Sequence, residues 1–243
     1  MNALCLITFR PHKIWCDFLR HITYPVFIIV DDNTFNLTPF KRTYPTLTFI
    51  NVANESCKTS GFMDTSFTLK KLICGWDKAL YYFSEHTQYD HVWFMEDDVF
   101  FYDEQTLRRL DFMYTADLLS STYEDNLHGD KTDWNWPNVH IKIPPPYYHG
   151  MMCTVRCSRQ LLSCIKAYAT QHHTLFFLEA LFPTLAIQHQ LSYVTPTEFD
   201  TVVYRHTYSK KDIHRLKIYH PVKNMNDHLL FRSSVNMTKL KFV

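Results

Sequence analysis

Three adjacent carboxylates, Glu96, Asp97 and Asp98, directly follow the apolar run HVWFM at residues 91–95. Neighbouring carboxylates repel one another and cost stability unless a cation neutralises them. Mg²⁺ and Mn²⁺ take oxygen ligands and are often held by one or two carboxylates together with substrate phosphates. Alternation along a strand would send Glu96 and Asp98 to one side and Asp97 to the other. The cluster predicts a divalent-metal site, with a solvated turn or a helix cap as the alternative.

A second acidic pair, Asp31 and Asp32, follows the apolar run PVFIIV at residues 25–30. A carboxylate at the end of a buried strand can accept a hydrogen bond from a ribose hydroxyl or a base N–H, although a plain turn is the alternative. Ligands of parallel sheets bind beyond the carboxyl ends of the strands. The two acidic clusters together predict a nucleoside site and a separate metal–diphosphate site at one edge of a sheet.

Alternating strands and helices must position these clusters. Apolar runs and helical periodicity give the following order through the first half: strand 4–9, helix 12–21, strands 25–30 and 47–52, loop 53–66, helix 67–86, strand 91–95, helix 103–113 and strand 116–122. We expect in the second half a long loop at 124–150, strand 151–157, helix 158–169 capped by Ser158, helix 174–188 capped by Thr174 and a helix near 223–231. This order predicts an α/β fold with a mainly parallel sheet and helices on both faces.

Composition excludes several classes of protein. The 243 residues suit a single domain, and 4 glycines are too few for a glycine-rich phosphate loop. A net charge of +1 with no long basic run argues against nucleic acid as a partner. Seven cysteines without a CxxC pair indicate buried thiols in a reducing compartment. Because no apolar run approaches the roughly 18 residues of a membrane span and no signal peptide is apparent, we expect a cytoplasmic protein without a transmembrane segment.

The chain also resembles a known family group. Five segments carry the resemblance: VDDN at 30–33, GWDKALYYF at 75–83, VWFMEDDVFF at 92–101, HGMMCTVRCSRQLL at 149–162 and FFLEALFPTLA at 176–186. They are similar to GT-A-fold, metal-dependent glycosyltransferases, with EDD as a variant of the DxD motif. The resemblance implies one GT-A domain over residues 1–243, with a nucleotide-sugar-binding half at 1–122 and an acceptor-side half and tail at 123–243. It also implies Mn²⁺ or Mg²⁺, a UDP- or GDP-sugar donor and a glycan or other hydroxyl acceptor.

The resemblance also implies roles for individual residues. Asp98 would coordinate the metal, and His220 would complete its ligand shell. Glu96 and Asp97 would contact the ribose or the donor sugar, or would reach the metal through water. The remaining donor-side residues would be Asp31 and Asp32 for the nucleoside, Thr8 and Arg10 for the nucleotide pocket, and Lys223 or Arg205 for the diphosphate.

An inverting transfer also needs a carboxylate base that takes the proton of the acceptor hydroxyl. Glu179 is the first candidate because it is a charged residue in the otherwise apolar run FFLEALF, and Asp200 is the second. A retaining enzyme would need no such base. Aromatic side chains in the 124–150 loop could line the donor or acceptor wall by stacking on sugar rings, with hydrophobic packing as the alternative. They are Trp134, Trp136, Tyr147 and Tyr148.

Two other function classes stay open. The first is another metal-dependent phosphoryl or nucleotidyl enzyme on an α/β sheet. Sugar nucleotidyltransferases generally begin with a glycine-rich loop, which is missing here. An aspartyl-phosphate hydrolase would need its acidic motif after the first strand, where this chain has Thr8, Phe9 and Arg10. The second class is a non-catalytic sugar-binding module, against which the intact EDD motif argues.

Overall fold

The computed structural model describes residues 1–66 and 72–233. The strands are β1 (Asn2–Thr8), β2 (Val26–Val30), β3 (Thr48–Ile50), β4 (His91–Glu96), β5 (Phe100–Phe101), β6 (Leu118–Leu119), β7 (Tyr123–Asn126), β8 (Tyr147–Gly150), β9 (Thr154–Ser158), β10 (Tyr193–Val194) and β11 (Ile218–Tyr219). The α-helices are α1 (Lys13–Leu19), α2 (Thr38–Thr43), α3 (Asn54–Thr59), α4 (Gly75–His86), α5 (Glu104–Met113), α6 (Arg159–His172), α7 (Leu178–Gln188) and α8 (Met225–Arg232).

A mixed seven-stranded sheet forms the centre of the molecule in the order β10-β6-β9-β4-β1-β2-β3. Strands β1 to β4 run parallel, and β9 runs antiparallel to both of its neighbours, β4 and β6. The predicted fold class, an α/β single domain with a mainly parallel sheet flanked by helices, is confirmed. Because β1 to β4 are parallel, their carboxyl ends lie at one edge, where both acidic clusters follow β2 and β4.

The sheet is buried on both faces, so its central strands are continuously apolar. Along β1, Cys5 and Ile7 point into the core that α4, α6 and α7 cover, whereas Leu4 and Leu6 point into the core that α1 and α5 cover. This alternation is the two-residue period of a strand. It explains why hydrophobic runs, rather than alternating patterns, predicted these strands.

The predicted helix at 67–86 begins later than its periodicity suggested. Residues 67–71 lie outside the described part of the chain, and α4 begins at Gly75. The Asp77 carboxylate accepts a hydrogen bond from the backbone N–H of Cys74 at 2.8 Å and so caps the helix at that point. Burial raises the pKa of Asp77 to about 6, although the hydrogen bonds from Cys74 and Thr65 oppose this shift.

Four other local predictions can be compared with the structure: one helix cap is confirmed, and one cap and two loops are wrong. Ser158 caps α6 as predicted, because its hydroxyl accepts from the Leu161 N–H at 3.1 Å. Thr174 does not cap α7, since its hydroxyl donates to the Asp64 carboxylate at 2.8 Å and α7 begins at Leu178. The predicted loop at 53–66 contains the short helix α3, whose Cys57 is buried. The predicted loop at 124–150 contains most of β7 and all of β8; these strands pair with each other, and β8 packs on α7.

Within the described residues, every helix is too short or too polar to cross a lipid bilayer.

Candidate functional site

A carboxylate–histidine cluster, formed by Glu96, Asp98 and His220, lies beyond the carboxyl end of β4. Glu96 is the last residue of β4, and Asp98 lies in the turn before β5. The antiparallel pairing of β5 with β11 brings the chain that follows β11, and with it His220, beside this turn. Ligand atoms of the three side chains lie within 4.8 Å of one another. The structure therefore unites residues that are far apart in sequence.

The His220 ring is oriented with one nitrogen toward the cluster. Its Nδ1 lies 2.8 Å from the carbonyl oxygen of Val203, and because a carbonyl only accepts, Nδ1 carries the proton. Nε2 then faces Asp98, whose Oδ1 lies 3.5 Å away. A backbone hydrogen bond to an imidazole N–H is the usual way in which proteins orient a metal-binding histidine.

The carboxylate of Asp98 has a buried oxygen that a cation could contact. Its Oδ1 is buried and has no hydrogen-bond partner among the described residues. The His220 ring, 3.5 Å away, faces this oxygen without giving it a hydrogen bond, and a bound cation would stabilise the buried carboxylate. Two carboxylates and one imidazole are a donor set that suits Mn²⁺. The cluster thus fits the divalent metal that the resemblance implied, with Glu96 beside Asp98 and His220.

Burial and mutual repulsion perturb the titration of the cluster. Burial raises the pKa of Glu96 to about 7, and the Asp98 charge adds to this, although the Trp76 indole N–H, which donates to Glu96 at 2.7 Å, lowers it. Burial lowers the pKa of His220, but contact with Asp98 outweighs that effect and leaves the pKa raised. A metal ion would bind the ionised form of Glu96 and the neutral form of His220, so metal binding at this cluster would release protons.

Asp97 lies in the turn after β4 and contacts Thr8 of β1 rather than the carboxylate–histidine cluster. The hydroxyl of Thr8, at the end of β1, donates to the Asp97 carboxylate. The Trp15 indole N–H donates to the Asp97 backbone oxygen at 2.7 Å. Burial raises the pKa of Asp97, and the Thr8 hydrogen bond opposes that shift. Thr8 and Asp97 therefore form one wall of the site between β1 and β4.

The two aspartates after β2 have different environments. Asp31 lines the cleft and forms an ion pair at 2.9 Å with Lys78, whose side chain is 1% exposed. Asp32 accepts from the Thr34 N–H at 2.9 Å and from Arg10 at 2.7 Å. These bonds, led by those from Thr34, lower the pKa of Asp32 to about 2. Asp32 and Arg10 thus close a turn outside the lining of the cleft.

A cleft of about 1240 Å³ contains the cluster. Glu179, in the first turn of α7, lines the same cleft. Burial raises the pKa of Glu179 to about 7, and the Glu96 charge adds to it, whereas His220 and a hydrogen bond from Trp134 lower it. Asp200 lies outside the lining, with its side chain 59% exposed and 4.0 Å from Lys217. Of the two candidate bases, only Glu179 lines the cleft that contains the carboxylate–histidine cluster.

The basic and aromatic candidates are also separated by the fold. Lys223 lines both the cleft and a neighbouring pocket of about 560 Å³, whereas Arg205 lines only that pocket. The Trp134 ring lines the cleft but is stacked on His149, with ring centroids 3.9 Å apart, and on Phe177 at 5.6 Å. Three other aromatic side chains of the predicted loop lie outside the lining: Trp136, Tyr147 and Tyr148. Trp134 therefore packs within the wall and is held by its neighbours.

Three residues that shape the site were not predicted from the sequence. Trp76 and Lys78, from one turn of α4, hold Glu96 and Asp31 respectively. The segment GWDKALYYF contains a signal for Lys78, because a lysine occurs there in a helix whose neighbouring residues are mostly apolar. His149 stacks on Trp134 and lies 3.8 Å from Glu124 at the edge of the cleft. No spacing rule distinguishes His149 from the other histidines of the chain.

Comparison with known proteins gives a match in structure only. No protein-family profile and no curated protein matches the chain. The chain is similar to a crystal structure of the galactosyltransferase LgtC in complex with donor and acceptor sugar analogs, at a TM-score of 0.53 and 10% identity, with 99% of this chain and 98% of that chain covered. An active-site mutant of LgtC aligns over the same shares at a TM-score of 0.51 and 9% identity. At such identities the similarity concerns the fold, and it supports the predicted GT-A architecture.

Proposed function

We propose that this protein is a metal-dependent glycosyltransferase that moves a sugar from a nucleotide-diphosphate donor to a hydroxyl acceptor. The observation that carries the proposal is the carboxylate–histidine cluster at the carboxyl edge of a GT-A-like sheet, in which the buried Asp98 Oδ1 accepts no hydrogen bond from the described residues. The galactosyltransferase LgtC, which shares the fold, was crystallised with donor and acceptor sugar analogs. The shortage of glycine agrees with this function, because a metal can hold a diphosphate without a glycine-rich loop.

The donor would lie along the edge that β1, β2 and β4 form. Thr8, Asp31 and Asp97 line the cleft on the nucleotide side, and Lys223 lines it beside His220. Asp31 is the better candidate for the nucleoside because Asp32 is engaged in its turn. A Mn²⁺ or Mg²⁺ ion held by Glu96, Asp98 and His220 would supply positive charge to the departing diphosphate.

Glu179 is the proposed general base of an inverting reaction. Its carboxylate takes the proton of the acceptor hydroxyl as that oxygen bonds to the anomeric carbon of the donor sugar. The bond from the same carbon to the diphosphate breaks, and the diphosphate leaves with the electron pair. A base works best when its pKa lies near the working pH, and that of Glu179 is about 7. The helix that carries Glu179 forms one wall of the cleft and fixes its position.

Calorimetric titration tests the proposal directly. UDP and GDP are titrated into the wild type with and without Mn²⁺, and into Asp98→Ala with Mn²⁺. We expect Mn²⁺-dependent binding of at least one nucleotide, and its loss in Asp98→Ala. Asp200→Ala is the matched control, because this exposed carboxylate lies outside the cleft and its removal should leave binding unchanged.

The same preparation separates the alternative functions. Absence of nucleotide binding under all these conditions would refute the proposal. Release of phosphate, or formation of a nucleotide sugar from a sugar phosphate, would indicate the phosphoryl or nucleotidyl class instead. Binding of a glycan without any turnover of nucleotide sugars would indicate a sugar-binding module.

A further inference from the structure

The backbone of the acidic motif is held from two sides by buried groups. The Trp15 indole N–H, from α1, donates to the carbonyl oxygen of Asp97 at 2.7 Å. The backbone N–H of Val222, two residues beyond His220, donates to the carbonyl oxygen of Asp98 at 2.7 Å. Together these bonds fix the peptide that carries Asp98 relative to the segment that carries His220.

His228, on α8, connects these two contacts. Its side chain is 1% exposed, and its Nε2 lies 2.9 Å from the carbonyl oxygen of Val222. The ring packs edge-on against Trp15, with centroids 5.0 Å apart and planes at 63°. One histidine therefore contacts both Val222, whose backbone N–H bonds to Asp98, and the indole that bonds to Asp97.

The chemistry of this contact defines what His228 does. A carbonyl oxygen only accepts, so Nε2 of His228 carries the proton and donates to Val222. Nδ1 is buried and has no hydrogen-bond partner among the described residues. Burial lowers the pKa of His228 to about 4, so the ring is neutral and makes a single hydrogen bond. A polar ring with an unpartnered nitrogen costs stability in a core, and leucine or phenylalanine would fill this place at lower cost.

Helix α8 is itself anchored to β5, the strand that follows the acidic motif. Arg232 donates to the carbonyl oxygen of Phe101 at 2.8 Å, and its guanidinium lies 3.6 Å from the centroid of the Phe18 ring. Phe231 packs against Phe100, with ring centroids 5.6 Å apart. The helix is thus tied to β5 at its end, and His228 extends this anchor to the loop at 220–223.

We infer that His228 is a positioning residue for the metal cluster: through Val222 and Trp15 it fixes the backbone of Asp98 relative to His220. The inference rests on the proposed metal role of the cluster. His228 lies outside the cleft lining and contacts neither substrate nor metal, so its effect is exerted through the geometry of the ligands. Groups that hydrogen-bond directly to metal ligands typically change metal affinity by 10- to 100-fold when they are removed, and His228, which acts through Val222, should fall at the lower end of that range.

The test measures Mn²⁺ affinity by calorimetry on the metal-free protein, together with the thermal midpoint. His228→Phe keeps the ring but removes the donor, and His228→Leu removes the donor without adding volume. His228→Gln keeps an N–H at a similar reach. We expect Mn²⁺ affinity to fall about tenfold in the Phe and Leu variants, and to stay within about threefold of the wild type in the Gln variant.

Phe231→Leu is the matched control, since it weakens the packing of the same helix without touching the hydrogen bond. We expect it to lower the thermal midpoint while Mn²⁺ affinity is retained. The inference is overturned if the Phe and Leu variants bind Mn²⁺ like the wild type, if the Gln variant loses as much affinity as they do, or if Phe231→Leu loses equally. A wild type that binds no Mn²⁺ would overturn the proposed function together with this inference.

Discussion

The pH dependence of Mn²⁺ binding is the sharpest test of the cluster. A metal binds the ionised form of Glu96, whose pKa in the metal-free fold is about 7. At pH 6 about one molecule in ten has this carboxylate ionised, and at pH 8 about nine in ten. The apparent Mn²⁺ affinity should therefore rise about tenfold between pH 6 and pH 8. His220, whose pKa is raised by Asp98, acts in the same direction because it too must lose its proton.

Isothermal calorimetry at pH 6, 7 and 8 measures this change. Repeating the titration in two buffers with different ionisation enthalpies counts the protons released on binding. Glu96→Gln is the control, because it keeps a carbonyl oxygen for the Trp76 indole but no longer titrates, so its slope with pH should be shallower. A wild-type affinity that changes by less than about twofold from pH 6 to pH 8, or a net uptake of protons, would refute the reasoning.

Three further perturbations follow from the same contacts. Because the pKa of Glu96 is raised in the fold, this carboxylate lowers the free energy of unfolding as the pH rises from about 4.5 to about 7. Glu96→Gln should therefore stabilise the metal-free protein by about 1–3 kcal/mol at pH 8 and hardly at pH 4, as measured by urea unfolding. Equal effects at both pH values would contradict this. Glu179→Gln should reduce sugar transfer at least about 100-fold but leave Mn²⁺ and nucleotide binding within about twofold; surviving transfer would exclude Glu179 as the base. Lys78→Met should lower the free energy of unfolding by about 3–5 kcal/mol, because it removes the buried counter-charge of Asp31. Adding Asp31→Asn to the same chain should recover part of that loss. If there is no recovery, the loss comes from packing.

The sheet and the two acidic clusters at its edge were predictable because their sequence signals are local. A strand buried on both faces is a continuous apolar run, and β2 and β4 each end where carboxylates begin. Alternation along a strand predicted different surroundings for Asp97 and Glu96, although β4 ends at Glu96 and the turn after it positions Asp97 and Asp98. Helix starts were harder to predict, since the Cys74–Asp77 cap and the contact of Thr174 with Asp64 decide where α4 and α7 begin.

The sequence by itself determined the fold class, the position of the acidic motif and the unusual charge of Glu179 within an apolar helix. Only the tertiary structure decided which partners these groups meet. His220 reaches Asp98 through the pairing of β5 with β11, and no short-range pattern encodes a contact over so long a separation. Asp31 and Asp32 look equivalent in sequence, yet successive side chains face different surroundings, so one lines the cleft and the other closes a turn. The physical reason is that periodicity records which face a residue occupies, whereas a site depends on which distant elements are packed beside that face.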